Sequence, residues 1–291
     1  MNYTTHYNTI QSNHSPRSVA RLWVLNGLSL MDTIGNGEQK LKNSRIHFLY
    51  IHHIFEDEKA QLINLIEYLS KQHTFISYNE AIDKLLNNEV DKPYIVISSD
   101  DGFKNNIHAA EILNRYNIKA CFFINPGLIG QTDYTFIKTH CETKLHLPPV
   151  EFMDWDDVEL LLKQGHEIGS HNMYHSNMAK QSQHQVIDDL LESYDIIKKK
   201  TGTIKHFAFP YGRLSDFNEF ARQKAFEIGY HSCSSAERGC HINHSHKLKP
   251  DELFIRREHI VLNWPLNHIR HFLIKAAKNA SSITNLNPYV K

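Results

Sequence analysis

The 291-residue chain has little cysteine, no long apolar run and no excess of charge of either sign. Its four cysteines, Cys121, Cys141, Cys233 and Cys240, are scattered and form no C-x-x-C. That excludes a disulfide framework or a cysteine-based zinc site and leaves reduced thiols as the expectation. No stretch of 18 apolar residues is present, so no integral membrane segment is expected. Lysine and arginine number 32 against 32 aspartates and glutamates. Without a broad basic field, binding to nucleic acid or to anionic membrane through bulk electrostatics is not expected. Arg17 and Arg21 precede Trp23-Val24-Leu25, but Asn26, Gly27 and Ser29 interrupt that stretch and no small-x-small site follows. No signal peptide is expected, and a cytoplasmic protein is.

Histidine is the residue in surplus, with 21 copies, and 41% of the residues are hydrophobic, enough for a substantial core. The polar first 15 residues read as a loose arm, and the residues from Ser281 look similar. The expected division is an extension at 1–44, one domain at 45–280 and a tail at 281–291. From residue 45, β-like runs alternate with helical periods. The strands expected are Ile46–Ile51, Tyr94–Ser99, Lys119–Ile124, His166–Ser170, His206–Phe209, Gly229–Ser232 and Phe254–Ile260. Helices are expected over Glu58–Lys71 and Gln185–Lys200, the second with Val186, Leu190, Leu191, Tyr194 and Ile197 on one side and a stop at Thr201-Gly202. Runs such as Ile95-Val96-Ile97 are apolar on successive residues, as in a parallel sheet covered on both faces. An α/β fold with about seven strands points to a closed or nearly closed barrel, with an open doubly wound sheet as the alternative.

Three strand ends carry unusual chemistry. Ser98-Ser99-Asp100-Asp101-Gly102 places two carboxylates side by side after an apolar strand, where they repel each other and call for a cation or a proton. A helix N-cap is the plainer use of the same residues. Gly169-Ser170-His171-Asn172-Met173-Tyr174-His175 spaces two imidazoles four apart, as on one helical face. Combined with one carboxylate they make a three-ligand site with room for water. Phe209-Pro210-Tyr211-Gly212 is a turn after a strand in which Tyr211 can offer a backbone N–H to an oxyanion, or simply a packed corner.

In this order these three segments resemble the polysaccharide deacetylases, the NodB-type carbohydrate esterases of family four, over about residues 45–275. The resemblance implies a single-domain, distorted (β/α) barrel of about seven parallel strands. It also implies one divalent ion, zinc first and cobalt, nickel or iron(II) next, held by Asp101, His171 and His175. Asp100 becomes the general base for a metal-bound water, and the Tyr211 amide becomes an oxyanion donor. The reaction implied is removal of an N-acetyl or other N-acyl group from a saccharide. With no signal peptide expected, the substrate would be an intracellular intermediate of surface-polysaccharide assembly.

The chain departs from the family pattern at Ala208, where an arginine that orients the base is usual, and at His231-Ser232-Cys233-Ser234, which replaces an Asp-x-x-Asp-Trp sequence. His259 in Arg256-Arg257-Glu258-His259 is the candidate acid, and Arg257 reads as an ion-pair residue rather than a substrate contact. Pro210, Tyr211 and His53 are the candidate substrate-side residues, and Asn105-Asn106 are expected to cap a helix. Trp155 is expected to open a helix capped by Asp154. The cluster His241, His244 and His246 reads as a loop. Two other functions stay open: hydrolysis of a non-sugar amide or N-formyl group, and saccharide binding without catalysis.

Overall fold

The computed structural model describes residues 2–10 and 16–280; the expected tail at 281–291 lies outside the described residues. Eight strands form one parallel sheet: β1 (Arg45–Ile51), β2 (Thr74–Phe75), β3 (Pro93–Ser99), β4 (Ala120–Ile124), β5 (Glu167–Ser170), β6 (His206–Ala208), β7 (Ser232–Ser234) and β8 (Glu258–His259). Seven run in the order β7-β6-β5-β4-β3-β1-β8, and the two-residue β2 sits on β3. The sheet curls into a distorted barrel. Its ends approach through residues 255–259: Ile255 bridges Ser234 of β7, and His259 pairs with Tyr50 of β1.

Period-two alternation sorts the strand residues into two cores. Leu49, Ile51, Ile95, Ile97, Phe122 and Ile124 pack outward. They meet helices α2 (Lys59–Ser70), α4 (Asn106–Arg115), α6 (Trp155–Lys163) and α7 (Gln183–Thr201). Phe48, Tyr94, Val96, Cys121 and Phe123 point the other way. There they meet Tyr78, Ala81, Ile82 and Leu85 of α3 (Tyr78–Asn87). Both faces are covered, which is why these strands are apolar at every position. The remaining helices are α5 (Tyr134–His140), α8 (Glu219–Ile228), α9 (Leu266–Lys278) and α1 (Pro16–Ile34), the last packed on α9.

Several sequence expectations shift. The strand expected at Gly229–Ser232 is instead Ser232–Ser234, because Gly229 (φ +124°) ends α8. The run Phe254–Ile260 is not one strand: it serves both sheet edges and changes partner between Ile255 and Glu258. On α7 the inward row is Val186, Leu190, Ser193 and Ile197, while Leu191 is exposed, one residue out of phase. Asp154 does cap the helix that opens at Trp155, in a capping box with Asp157.

Residues 2–10 are not a loose arm. The Thr4 amide donates to the Pro149 carbonyl and the Glu56 amide to that of Thr5. Tyr7 and Asn8 donate their amides to Asp57 at 2.8 and 3.1 Å. Its backbone is docked while Asn2, Thr5, His6, Asn8 and Thr9 stay exposed, which accounts for the polar composition. His241, by contrast, is fully buried, exchanging backbone hydrogen bonds with Ile46 of β1, while His244 and His246 stay in the loop that follows. All four cysteines are free and buried. Among the described residues no helix is long and apolar enough to cross a membrane.

The start of α7 offers a direct test of local design. Ser182 Oγ accepts from the Gln185 amide, and Gln185 Oε1 from that of Ser182. Ser182→Ala should lower stability by about 1 kcal/mol, seen as a lower urea midpoint at unchanged slope, while Ser182→Asp should hold near the parent value.

Candidate metal centre and active-site cavity

The strands are parallel, so their C-terminal ends share one rim, and every chemically unusual segment lies on it. Asp100 and Asp101 follow β3, His171 follows β5, Phe209–Gly212 follow β6, His52 and His53 follow β1, and His259 ends β8. The sheet ladder guides the exits: the Asp100 amide donates to the Ile51 carbonyl and the His171 amide to that of Ile124. A cavity of about 360 Å³ opens there, lined by Asp100, Asp101, His171, His175, Arg257 and His259 among others.

Asp101, His171 and His175 are all buried and offer ligand atoms within 4.8 Å of one another. The Nε2 atoms of both histidines lie 3.5 Å from Asp101 Oδ1. Ligands about 2.0–2.1 Å from a tetrahedral ion are roughly 3.3–3.4 Å apart, so the spacing suits a shared cation. His171 Nδ1 donates to the Ala208 carbonyl at 2.6 Å, which fixes the tautomer and leaves Nε2 as a ligand. Asp101 Oδ1 has no hydrogen-bond partner among the described residues. Burial, with Asp100 adjacent, pushes the Asp101 carboxyl well above its usual range. Burial, with His171 adjacent, holds His175 well below its own. A buried carboxyl that resists ionisation is what a cation would relieve, an imidazole held neutral is in its ligating form, and the donor set fits a divalent metal.

The two histidines do not sit on a helix as their spacing suggests. Residues 171–177 form a turn and loop in which Asn172 (φ +55°) and His175 (φ +55°) are left-handed. Asn172 clamps it, accepting from the Ser176 amide and donating to the Ser176 carbonyl. Nor do the aspartates cap a helix. Asp101 (φ +75°) and Gly102 (φ +73°) reverse the chain, and Asn105 starts α4 without a side-chain cap bond. Asn106 Nδ2 instead donates to the His52 carbonyl, tying this loop to the end of β1.

Apart from asparagine and glycine, the described residues with positive φ are Asp101, His146, His175 and Tyr211. All four line this cavity. Strain of this kind collects where a surrounding structure holds functional groups in place. At Gly212 (φ +71°) an added Cβ would fall 2.3 Å from that of Ala236, so the turn after Tyr211 has no space for a side chain.

Asp100 sits in a different setting. Arg257 donates to both its carboxylate oxygens at 2.8 Å, and its Nε–H donates to the Ser235 carbonyl. The guanidinium also lies over Tyr50, 4.4 Å from the ring centre. Burial alone would raise the Asp100 carboxyl, but Arg257, helped by His171, brings it down to about 2. Arg257 is thus an ion-pair residue whose partner is the candidate base. Ala208 contributes only its carbonyl at the position where the family arginine was missed.

Residues 87–233, half of the chain, match the family described as "Polysaccharide deacetylase". The chain belongs to the polysaccharide deacetylase family. Within it, a 144-residue stretch is 25% identical to the peptidoglycan-N-acetylglucosamine deacetylase PgdA of Listeria monocytogenes, covering 46% of this chain. The match spans only 24% of that protein's length. IcaB from Ammonifex degensii shares the fold, with a TM-score of 0.63 and 16% identity over 81% of this chain and 98% of that one. The Streptococcus pyogenes deacetylase PplD, solved with acetate, does so with a TM-score of 0.58 and 19% identity over 78% and 98%.

The remaining expected residues divide. His259 lines the cavity, with its ring stacked on Tyr50 and edge-on to His52 at 4.8 Å. Burial, with Arg238 nearby, holds its imidazole neutral down to about 4. His53 also lines the cavity, but its Nδ1 is tied to Glu58 at 2.9 Å. Tyr211 is 39% exposed and sets its ring edge-on to His175. Pro210 is buried beside it and is not among the lining residues. Sequence reasoning missed Glu58 and two walls, one from Tyr7 and Ile10 and one from Lys144–Leu147. The histidine pair His52-His53 ending an apolar strand did signal the groove, and both line it, whereas the walls left no signal.

Removing Arg257 would strand a buried carboxylate. Arg257→Met should destabilise the protein by about 3–5 kcal/mol in urea unfolding, and the double variant Asp100→Leu/Arg257→Met by clearly less than the sum of the single changes. Strict additivity would mean that the pair is not coupled.

Proposed function

We propose that the protein is a metal-dependent hydrolase that removes an N-acetyl or other N-acyl group from a saccharide. The observation that carries the reading is the convergence of Asp101, His171 and His175 beside an Asp100 that is held ionised in the same cavity. Asp101 and the two Nε2 atoms would hold the ion. Two imidazoles and a carboxylate suit zinc, and cobalt, nickel or iron(II) nearly as well. Bound there, a divalent cation acidifies water and polarises a carbonyl oxygen.

The chain's own groups account for the rest. Each Asp100 oxygen takes one hydrogen bond from Arg257 and keeps lone-pair capacity, so the carboxylate can accept the proton of an attacking water. Arg257 aims it as well as ionising it. The Tyr211 amide is proposed to donate to the developing oxyanion, an interaction whose loss typically raises a barrier by about 3–4 kcal/mol. His259 is proposed to protonate the leaving amine. Held neutral at rest, its imidazole gains affinity for a proton as negative charge develops nearby. Tyr211 and His53 are proposed to border the sugar, with Pro210 shaping the turn behind Tyr211.

The purified protein should hold one divalent ion per chain, and Asp101→Asn or His175→Ala should lose it in metal analysis. Asp100→Asn should keep the ion and lose acetate release from N-acetylated saccharides by at least a hundredfold. A full complement of metal with no release from any acylated amide would move the assignment to saccharide binding without catalysis. His259→Gln should lower kcat by about 10²–10⁴ while leaving metal content unchanged, and an unchanged kcat would remove it as the acid.

A further inference from the structure

Helix α1 is amphipathic in the inverted sense. Its inward side is largely polar: Asp32 pairs with His271 at 2.6 Å and Lys278 at 2.7 Å. Ser29 and Thr33 accept from Arg270, and Asn26 contacts Asn267 and His268. Its apolar residues face out. Trp23 is 73% exposed, Met31 68% and Ile34 76%, and Val19, Leu22, Val24, Leu28 and Leu30 are exposed with them. These are eight of the fifteen large apolar side chains exposed in the described structure. At 100° per residue, seven of them (all but Leu22) fall within roughly half the circumference, over an axial length of about 22 Å. Gly27 and Ala20 share the arc, and no polar residue interrupts it. A contiguous apolar surface of this kind, kept in water, costs far more than scattered exposed leucines do.

We propose that this face of α1 lies on an anionic lipid surface. Three features favour lipid over a second copy of the chain. The arc is wider than the narrow seam by which two helices pair. Its one side-chain hydrogen-bonding group is the Trp23 indole N–H, of the kind that sits at headgroup level, and the rest suits acyl chains. The layer around it is also basic in a chain of zero net charge. Residues 19–43 and α9 together hold Arg21, Lys40, Lys42, Arg270, Lys275 and Lys278 against Asp32 and Glu38. Both acids are already paired inside the layer, with Lys278 and Arg270. The local surplus suits phosphate headgroups, although the bulk charge excludes long-range attraction. The surface adjoins the cavity: the Arg21 guanidinium lies 4.2 Å over the Trp264 ring, two residues from the cavity-lining Leu262.

The test is flotation of the full chain with phosphatidylcholine vesicles, with and without about one-third phosphatidylglycerol. Association is expected with the anionic vesicles, weakening as salt rises. Trp23→Ser/Met31→Glu/Ile34→Glu should lower vesicle partition more than tenfold. These side chains are exposed, so the fold should survive, as circular dichroism would verify, and Leu160→Glu on α6 serves as a control that leaves partition unchanged. No flotation of the parent chain, or flotation indifferent to the triple change, overturns the proposal. So does flotation that appears only after removal of residues 281–291, which would make the tail the occupant. A parent dimer that the triple change dissociates, without vesicle binding, would assign the face to a second copy. The readout needs no substrate and is therefore independent of the chemistry proposed for the cavity.

Discussion

The ion pair between Arg257 and Asp100 holds together two things that a barrel rim does not give freely: an ionised carboxylate out of water and a closed sheet. Both partners are buried, and removing either would leave a charge that the interior cannot solvate. The arginine belongs to the segment that bridges β7 to β1, and the aspartate directly follows β3, two strands from β8 in the sheet. One bidentate contact therefore ties the segment leading into the last strand to β3, across β1. The fork also uses its Nε–H on the Ser235 carbonyl, just beyond β7. Barrel closure and the ionisation of Asp100 are in this sense one interaction.

That contact separates two neighbouring aspartates that sequence alone makes equivalent. Asp100 faces a guanidinium and stays charged, whereas Asp101, one residue later and turned by a left-handed φ, faces two imidazoles and feels Arg257 too weakly to offset its burial and the neighbouring Asp100. Environments that push adjacent carboxyls apart are how a site assigns different tasks to like groups. The same economy appears at residue 208. Its side chain is only a methyl, yet its carbonyl fixes the tautomer of His171, so the position still serves the site through the backbone.

Much of this was legible in the sequence, and what was not follows a physical pattern. The central strands announced themselves because burial on both faces demands apolar residues at every position, as in Ile95-Val96-Ile97. The Asp-Asp-Gly and His-x-x-x-His segments stood out because their chemistry is costly to bury without a purpose. The local geometry behind them was not readable: an i, i+4 spacing cannot distinguish a helical turn from the asparagine-clamped loop that holds His171 and His175. Arg257 was recognisable as a paired cation, but its partner lies 157 residues away and only the closed sheet brings them together. The edge strands failed for a related reason, since Phe254–Ile260 changes neighbours midway and periodicity records the alternation of faces, not the identity of the partner.

Helix α1 marks the limit of pattern reading from the other side. Its apolar residues recur at helical spacing, and such a stripe ordinarily means a face turned to the core. Here the docking energy comes from the opposite face, through Asp32, Ser29 and Asn26 on the basic face of α9, so the same pattern places the stripe outside. The amphipathic period fixes that two faces differ. It does not fix which of them the rest of the protein takes. That choice depends on what α9 offers, and α9 offers Arg270, His271 and Lys278, groups that an apolar face could not satisfy. The polarity of one helix therefore dictates the orientation of another 230 to 250 residues earlier in the chain, and through it the character of the surface beside the cavity.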